Sequence, residues 1–239
     1  MKVDILAFGA HPDDVELGCG GTISKAIHAG RIAAIIDLTR GELGTRGSAS
    51  IRALEAASAA DILGVKIREN LGFPDGFIFN NKENQLRIIE KIRQYRPEIV
   101  LCNAVLDRHT DHGKSSILVQ EACFLSGLQK ITTSGIEGKI QDPWRPNAVY
   151  NYIQWNPTPP DFAVDISAFM DLKIKAVAAY KSQFYDSTSQ EPETPISNQN
   201  FMESVRYRAA DLGRLTNTTF AEGFTSSRLL RIGSIFDLK

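Results

Sequence analysis

Three near-continuous apolar runs constrain this chain more than anything else in it: VDILAFG (residues 3–9), RIAAIIDL (31–38) and EIVLCN (98–103). A run that is apolar at every position, rather than at alternate ones, belongs to a strand covered on both faces, as in a parallel sheet with helices above and below. Helical patterns stand between the runs. Residues 15–29 carry Leu17, Ile23, Ala26 and Ile27 at helical spacing and end at Gly30, a residue suited to a helix C-terminus. Residues 50–63 are rich in Ala and Leu and end at Gly64; residues 83–95 place Leu86, Ile89 and Ile92 on one face and stop before Pro97; a fourth helix is expected over 113–128. Repeated strand–helix–strand order predicts an α/β fold, a Rossmann-like, doubly wound, mostly parallel sheet with helices on both faces.

The second half reads as an added C-terminal strand and helix region. Residues 147–166 suggest a strand, a Pro-rich turn and a second strand; 168–182 suggest a helix; 186–200 (DSTSQEPETPISNQN) read as a polar, mobile loop. A helix near 199–212 and a strand-like SRLLRI (227–232) follow. With 239 residues, no internal repeat and no linker composition, a single domain over 1–239 is expected. The 27 basic and 28 acidic residues nearly cancel, so the chain offers no global attraction to nucleic acid or to a membrane surface. No segment approaches the roughly 20 apolar residues of a membrane span, and the opening MKVDILAFGAHPDD reads as a first strand rather than a signal peptide. The three cysteines, Cys19, Cys102 and Cys123, are widely spaced and lack a C-x-x-C pair. That excludes a disulfide framework and fits a cytoplasmic location.

Two of the apolar runs stop abruptly in charge. The first leads into His11-Pro12-Asp13-Asp14, the third into DRHTDH (107–112), which holds two of the four histidines. In open parallel sheets the carboxyl ends of strands border the ligand crevice, so both clusters stand where an active site is expected. Two imidazoles and a carboxylate suit a borderline cation such as zinc, which in a catalytic site takes about three protein ligands and leaves a position for water. His11, Asp14 and His112 can supply that set, with iron(II) suited to the same donors. Asp13 is then left free as a general base for a metal-activated water, and His109 as a donor to a developing oxyanion or leaving amine. Asp111 can orient one of the imidazoles of its loop, and sequence does not say which.

Plainer readings compete at each position. Asp13 and Asp14 can cap the following helix, His28 sits near a helix end as a dipole-satisfying residue, and Cys19 among glycines reads as a small packing residue. GCGG (18–21) does not match the dinucleotide fingerprint.

AHPDDVELGCGGT (10–22) together with RHTDHG (108–113) resembles the LmbE-like/PIG-L family of zinc-dependent N-acetylglucosaminyl deacetylases. The likeness extends through TRGELGTRGS (39–48), LGFPDG (71–76), YKSQF (180–184) and FAEGFTSSRLLRI (220–232), and looks most like the bacillithiol-pathway branch, which deacetylates N-acetylglucosaminyl malate. The resemblance implies His11, Asp14 and His112 as zinc ligands, Asp13 as general base and His109 as the stabiliser of the tetrahedral intermediate. It further implies Glu42, Arg52 and Asp75 as substrate-binding positions and a homo-oligomer, with a hexamer as one form. The second family motif is commonly His-Pro-Asp-His, and here Thr110 replaces the proline. A dicarboxylate aglycone such as malate calls for fixed cations, and Arg52 and Arg108 are the candidates because guanidinium matches carboxylate bidentately. A weaker third is Arg46.

Overall fold

The computed structural model describes residues 2–135 and 138–237. The apolar runs form strands whose alternate side chains feed two separate cores, the geometry a two-residue period imposes. In chain order the elements are β1 (Ile5–Gly9), α1 (Asp14–His28), β2 (Ala33–Thr39), α2 (Ala49–Leu63), β3 (Ile67–Phe73), α3 (Lys82–Tyr95), β4 (Ile99–Cys102) and α4 (Thr110–Leu125). There follow β5 (Ala148–Tyr152), β6 (Phe162–Asp165), α5 (Met170–Ala178), α6 (Gln199–Leu215) and β7 (Ala221–Ser226). Ile5, Ala7, Ala33, Ile35 and Leu101 pack with α1, α2, α5 and α6 on one face of the sheet. Leu6, Phe8, Ala34, Ile36 and Val100 pack with α3 and α4 on the other.

The seven strands run in the order β3-β2-β1-β4-β5-β7-β6. The first five are parallel, and β7 enters antiparallel between β5 and β6. Strand order reverses between β1 and β4, so the carboxyl ends of those two strands frame the crevice of a doubly wound fold. Among the described residues no helix is long and apolar enough to cross a membrane.

Several expectations need correction. The sequence pattern does not single out β3 as a strand. The closing strand is Ala221–Ser226, whereas SRLLRI lies beyond it as irregular chain in which Leu229 is 97% exposed. The helix expected over 168–182 is a short 3-10 turn at Ser167–Phe169 followed by α5, which ends at Ala178. α4 begins at Thr110 rather than 113, which puts Asp111 and His112 in its first turn.

α1 is broken at Cys19, whose φ of −147° leaves the helical range. The break has a packing cause. Gly18 lies directly against the Tyr152 ring, where a Cβ would collide with the ring carbons. Beyond the break, the Glu222 carboxylate accepts hydrogen bonds from the backbone N–H groups of Gly21 (3.0 Å) and Thr22 (2.7 Å), capping the second half of the helix. Cys19 itself is fully buried, as its packing role requires.

Candidate active site

The turn after β1 is held from both sides. Ala10 N–H donates to Asn103 Oδ1 (2.9 Å), beyond the end of β4, and the Ala10 carbonyl accepts from both the N–H and the hydroxyl of Thr39 on β2. The Asp14 carboxylate accepts from His11 N–H (2.9 Å), closing the turn on itself. Asp13, between them, has φ 120°, a backbone conformation that side chains other than glycine rarely adopt. It occupies the N-cap position of α1 but makes no capping hydrogen bond. Its Oδ2 instead accepts from Arg52 Nη2 (2.9 Å). The capping reading therefore fails for Asp13, and its strained backbone aims the carboxylate away from the helix end.

The imidazoles alternate with carboxylates. His11 Nε2 is 3.0 Å from Asp75 Oδ1, and its Nδ1 is 3.5 Å from Asp14 Oδ2. His112 Nε2 is 3.1 Å from the other Asp14 oxygen, and its Nδ1 is 2.6 Å from Asp107 Oδ2. The result is a chain Asp75···His11···Asp14···His112···Asp107 with Asp14 at its centre. Asp14 is further held by Gln154 Nε2 (2.8 Å) and Asn103 Nδ2 (3.0 Å). Each imidazole thus has a carboxylate behind the nitrogen that points away from Asp14, the arrangement that fixes a metal-binding histidine's tautomer and raises its basicity. His11 Nδ1 and His112 Nε2 each face one Asp14 oxygen, at 3.5 and 3.1 Å, and two imidazoles and a carboxylate converging in this way fit a divalent cation. Among the described residues, the groups whose possible ligand atoms all lie within 4.8 Å of one another are His11 with His109 and His112, and His11 with Asp75 and Asp111; Asp14 belongs to neither.

The electrostatics follow the geometry. Burial opposes charge on His11, but Asp111, Asp14 and Asp75 outweigh it and push its pKa well up. Burial likewise opposes charge on His112, yet Asp14 and Asp107 raise it to about 9. Asp14, despite burial, is held well below the usual carboxylate range by His112 and His11. Asp75, despite its own burial, is held at about 2, chiefly by His11. Asp13 goes the other way. Burial lifts it to about 7, with Arg52 opposing and Asp14 reinforcing the rise. The two adjacent aspartates are thus pushed apart, one a permanent anion and one able to exchange a proton near neutrality.

His109 is the N-cap residue of α4, and its Nδ1 accepts from Asp111 N–H (3.3 Å). That assigns the ring hydrogen to Nε2. Burial and the charges of His11 and His112 lower its pKa, so it offers a neutral N–H donor. Asp111 is fully buried behind His11, 3.6 Å from His11 Nε2, and accepts from Gly76 N–H (2.7 Å).

A cavity of about 440 Å³ opens over these groups, walled by the chain around Leu43–Thr45, by residues 194–196 and by Trp155. His11, Asp13, Asp14, His109 and His112 line it, as do Asp75, Arg52 and Arg108. Glu42 is not on its wall. The Glu42 carboxylate instead accepts from the backbone N–H of Asp75 (3.1 Å) and of Arg40 (3.1 Å). Arg52 is buried and its Nη2 is committed to Asp13 and to the Pro12 carbonyl (2.6 Å). Arg46 is buried too, reaching Ser189 in the 186–200 segment.

Sequence reasoning missed Asp107, Gln154 and Asn103. For Asp107 the signal was available, a carboxylate five residues before His112 in the same loop. Gln154 and Asn103 gave no signal, because they reach Asp14 across 140 and 89 residues of chain.

Residues 6–123 match the family model described as "PIG-L: GlcNAc-PI de-N-acetylase". The diacetylchitobiose deacetylase of Thermococcus kodakarensis is 35% identical over 190 residues, spanning 75% of this chain and 70% of that protein. Among solved structures, the conserved protein TT1542 from Thermus thermophilus is 36% identical and superposes with a TM-score of 0.85 over 97% of this chain and 98% of its own. The N,N'-diacetylchitobiose deacetylase of Pyrococcus horikoshii, 25% identical, gives a TM-score of 0.79 over 99% of this chain and 88% of its own.

Proposed function

Because the chain belongs to the PIG-L family of de-N-acetylases, we propose that it is a metal-dependent hydrolase that removes acetate from an N-acetylglucosaminide bearing an acidic aglycone. N-Acetylglucosaminyl malate, the bacillithiol precursor, is the substrate that fits this description. The observation that carries the reading is the separation of the two aspartates. Asp14 is bound into the imidazole–carboxylate chain, while Asp13 stands outside it with a pKa near neutrality.

The His11, Asp14 and His112 side chains would hold the metal, and zinc suits two imidazoles and a carboxylate, with iron(II) or cobalt(II) compatible. A metal there supplies Lewis acidity, lowering the pKa of a bound water and polarising the amide carbonyl. Asp13 accepts a proton from the attacking water as its oxygen bonds to the carbonyl carbon. The neutral His109 Nε2–H donates a hydrogen bond to the carbonyl oxygen as it gains negative charge. When the C–N bond breaks, Asp13 returns the proton to the departing nitrogen, so that water has added across the amide to give the amine and acetic acid, whose remaining proton passes to the amine or to solvent and leaves acetate. Arg52 keeps Asp13 in place from behind.

The 35% identity to a diacetylchitobiose deacetylase favours a second reading, a neutral oligosaccharide substrate; an inositol conjugate belongs to the same alternative. Acetate release from N-acetylglucosaminyl malate, N-acetylglucosaminyl inositol and diacetylchitobiose, with and without a chelator and with zinc restored, tests both. Chelator-sensitive release with preference for the malate conjugate is expected. Preference for diacetylchitobiose selects the second reading, and release that a chelator leaves untouched refutes the metal-dependent mechanism.

A further inference from the structure

Three arginines line the cavity: Arg52, Arg108 and Arg208. Arg52 is already committed to Asp13 and the Pro12 carbonyl. The guanidinium groups of the other two make no hydrogen bond or ion pair with the described residues. Arg108 is nevertheless held in place, because its guanidinium carbon lies 4.3 Å from the centroid of the Trp155 ring. Trp155 stacks on Phe201 (5.9 Å between centroids, 14° between planes), and Phe201 on Phe184 (5.7 Å, 1°). A column of three aromatic rings therefore ends in a guanidinium whose N–H donors are unspent.

Arg208 reaches the same wall from α6. Phe201, Val205 and Arg208 are spaced i, i+4 and i+7, one face of a helix, and the first two are buried against the core. Arg208 also borders a second cavity of about 620 Å³ between α6, the 157–160 proline segment and β7; Leu17 and Trp155 are the other residues common to both walls. Desolvation lowers the Arg208 pKa, and the carboxylate acting on it is Asp107. Both Asp107 oxygens are committed, to His112 Nδ1 and to Asn156 N–H. Arg208 is solvent-accessible where it lines the cavity, and a guanidinium there without a hydrogen-bond or ion-pair partner among the described residues is free to take an incoming anion.

We propose that Arg208 is a specificity-determining residue that, together with Arg108 in the same cavity lining, binds carboxylates on the aglycone of the substrate. The inference rests on the deacetylase reading above and adds the residue that distinguishes acidic from neutral aglycones. It also replaces Arg52 in the pair expected from sequence, since Arg52 serves the base rather than the ligand.

The test compares zinc-loaded wild-type enzyme with Arg208→Gln and Arg208→Lys on N-acetylglucosaminyl malate and on diacetylchitobiose. Arg208→Gln should raise KM for the malate conjugate by about tenfold or more, the usual loss for a charge-assisted hydrogen bond. Its kcat, and both parameters for diacetylchitobiose, should be unchanged, and Arg208→Lys should recover part of the loss. Equal effects on both substrates, or none on either, overturn the proposal and leave the deacetylase reading standing. Free L-malate binding, followed calorimetrically on the same proteins, separates the two if neither substrate is turned over. Binding that weakens about tenfold in Arg208→Gln, with Tm unchanged, supports the subsite even as the deacetylase reading fails, and equal binding refutes the subsite.

Discussion

Asp13→Asn separates function from stability in a way the structure quantifies. Burial lifts the Asp13 carboxyl to about 7, against an ordinary value of 3.8, so ionising it inside the folded protein costs about 4 kcal/mol more than in the unfolded chain. The sign follows from which state binds the proton more tightly. The folded protein does, so as pH rises from about 4 to about 7 the unfolded chain ionises first and wild-type stability falls. Above about 7 the full cost is present. Asn carries no charge, tolerates positive φ better than most residues, and can still accept from Arg52. Metal-stripped Asp13→Asn should therefore match the wild type near pH 4 and exceed it at pH 8, with about 4 kcal/mol as the upper bound. Urea denaturation of the stripped proteins at both pH values measures the gap. The zinc-loaded variant should bind metal normally and yet lose about 10²- to 10⁴-fold in kcat, the range for a removed general base. Wild-type activity should rise with pH along a limb at or below about 7, because the base must be unprotonated and a bound cation lowers its pKa further. A stability gap that does not widen with pH, or a variant that retains more than a tenth of wild-type kcat, would falsify the assignment.

Asp107→Asn should weaken zinc binding by about 10- to 100-fold in a competition titration with a chelating dye, because Asp107 fixes the His112 ring from behind; unchanged affinity would show that the contact is incidental. Gly18→Ala drives a methyl group into the Tyr152 ring and should lower stability by about 1–3 kcal/mol, read as a fall in the urea midpoint. Glu191→Ala removes the acceptor that ties Gly47 N–H (2.7 Å) to the 186–200 segment. It should speed proteolytic cleavage within that segment while leaving global stability within about 0.5 kcal/mol, and an unchanged cleavage rate would show that the tie does not hold the segment down.

The parallel core was legible because β1, β2 and β4 are buried on both faces and so carry almost no polar residues. β3 was not, because its polar side chains are spent sideways on neighbours. Arg68 forks onto Asp37 (2.8 and 2.9 Å) and reaches Glu16 (2.5 Å). Asn70 donates to the Thr39 carbonyl, and Glu69 takes Lys91 and Tyr95. A strand whose charges are paired in three dimensions looks in sequence like a solvated loop. The closing strand was displaced for the opposite reason. AEGFTS carries a buried Glu222 that caps the broken α1, whereas SRLLRI has the apolar content of a strand and no sheet partner among the described residues.

The site divides along the same line. His11, Asp13 and Asp14 share one turn, and Asp107, His109, Asp111 and His112 share another, so residue types and spacing expose both groups at once. What joins them is not local. Asn103 and Gln154 bind both Asp14 oxygens from the ends of β4 and β5, and Arg52 reaches Asp13 from α2. These are ordinary polar residues whose chemistry is decided by the fold alone. Arg208 is the extreme case. In sequence it is one more cation on an amphipathic helix, and only the packing of α6 through Phe201 and Val205, on the same helix face, places it on the cavity wall. Catalytic groups are legible because their chemistry demands rare residues at short spacing. Groups that choose among substrates need only a common residue in the right place, and that place belongs to the tertiary structure.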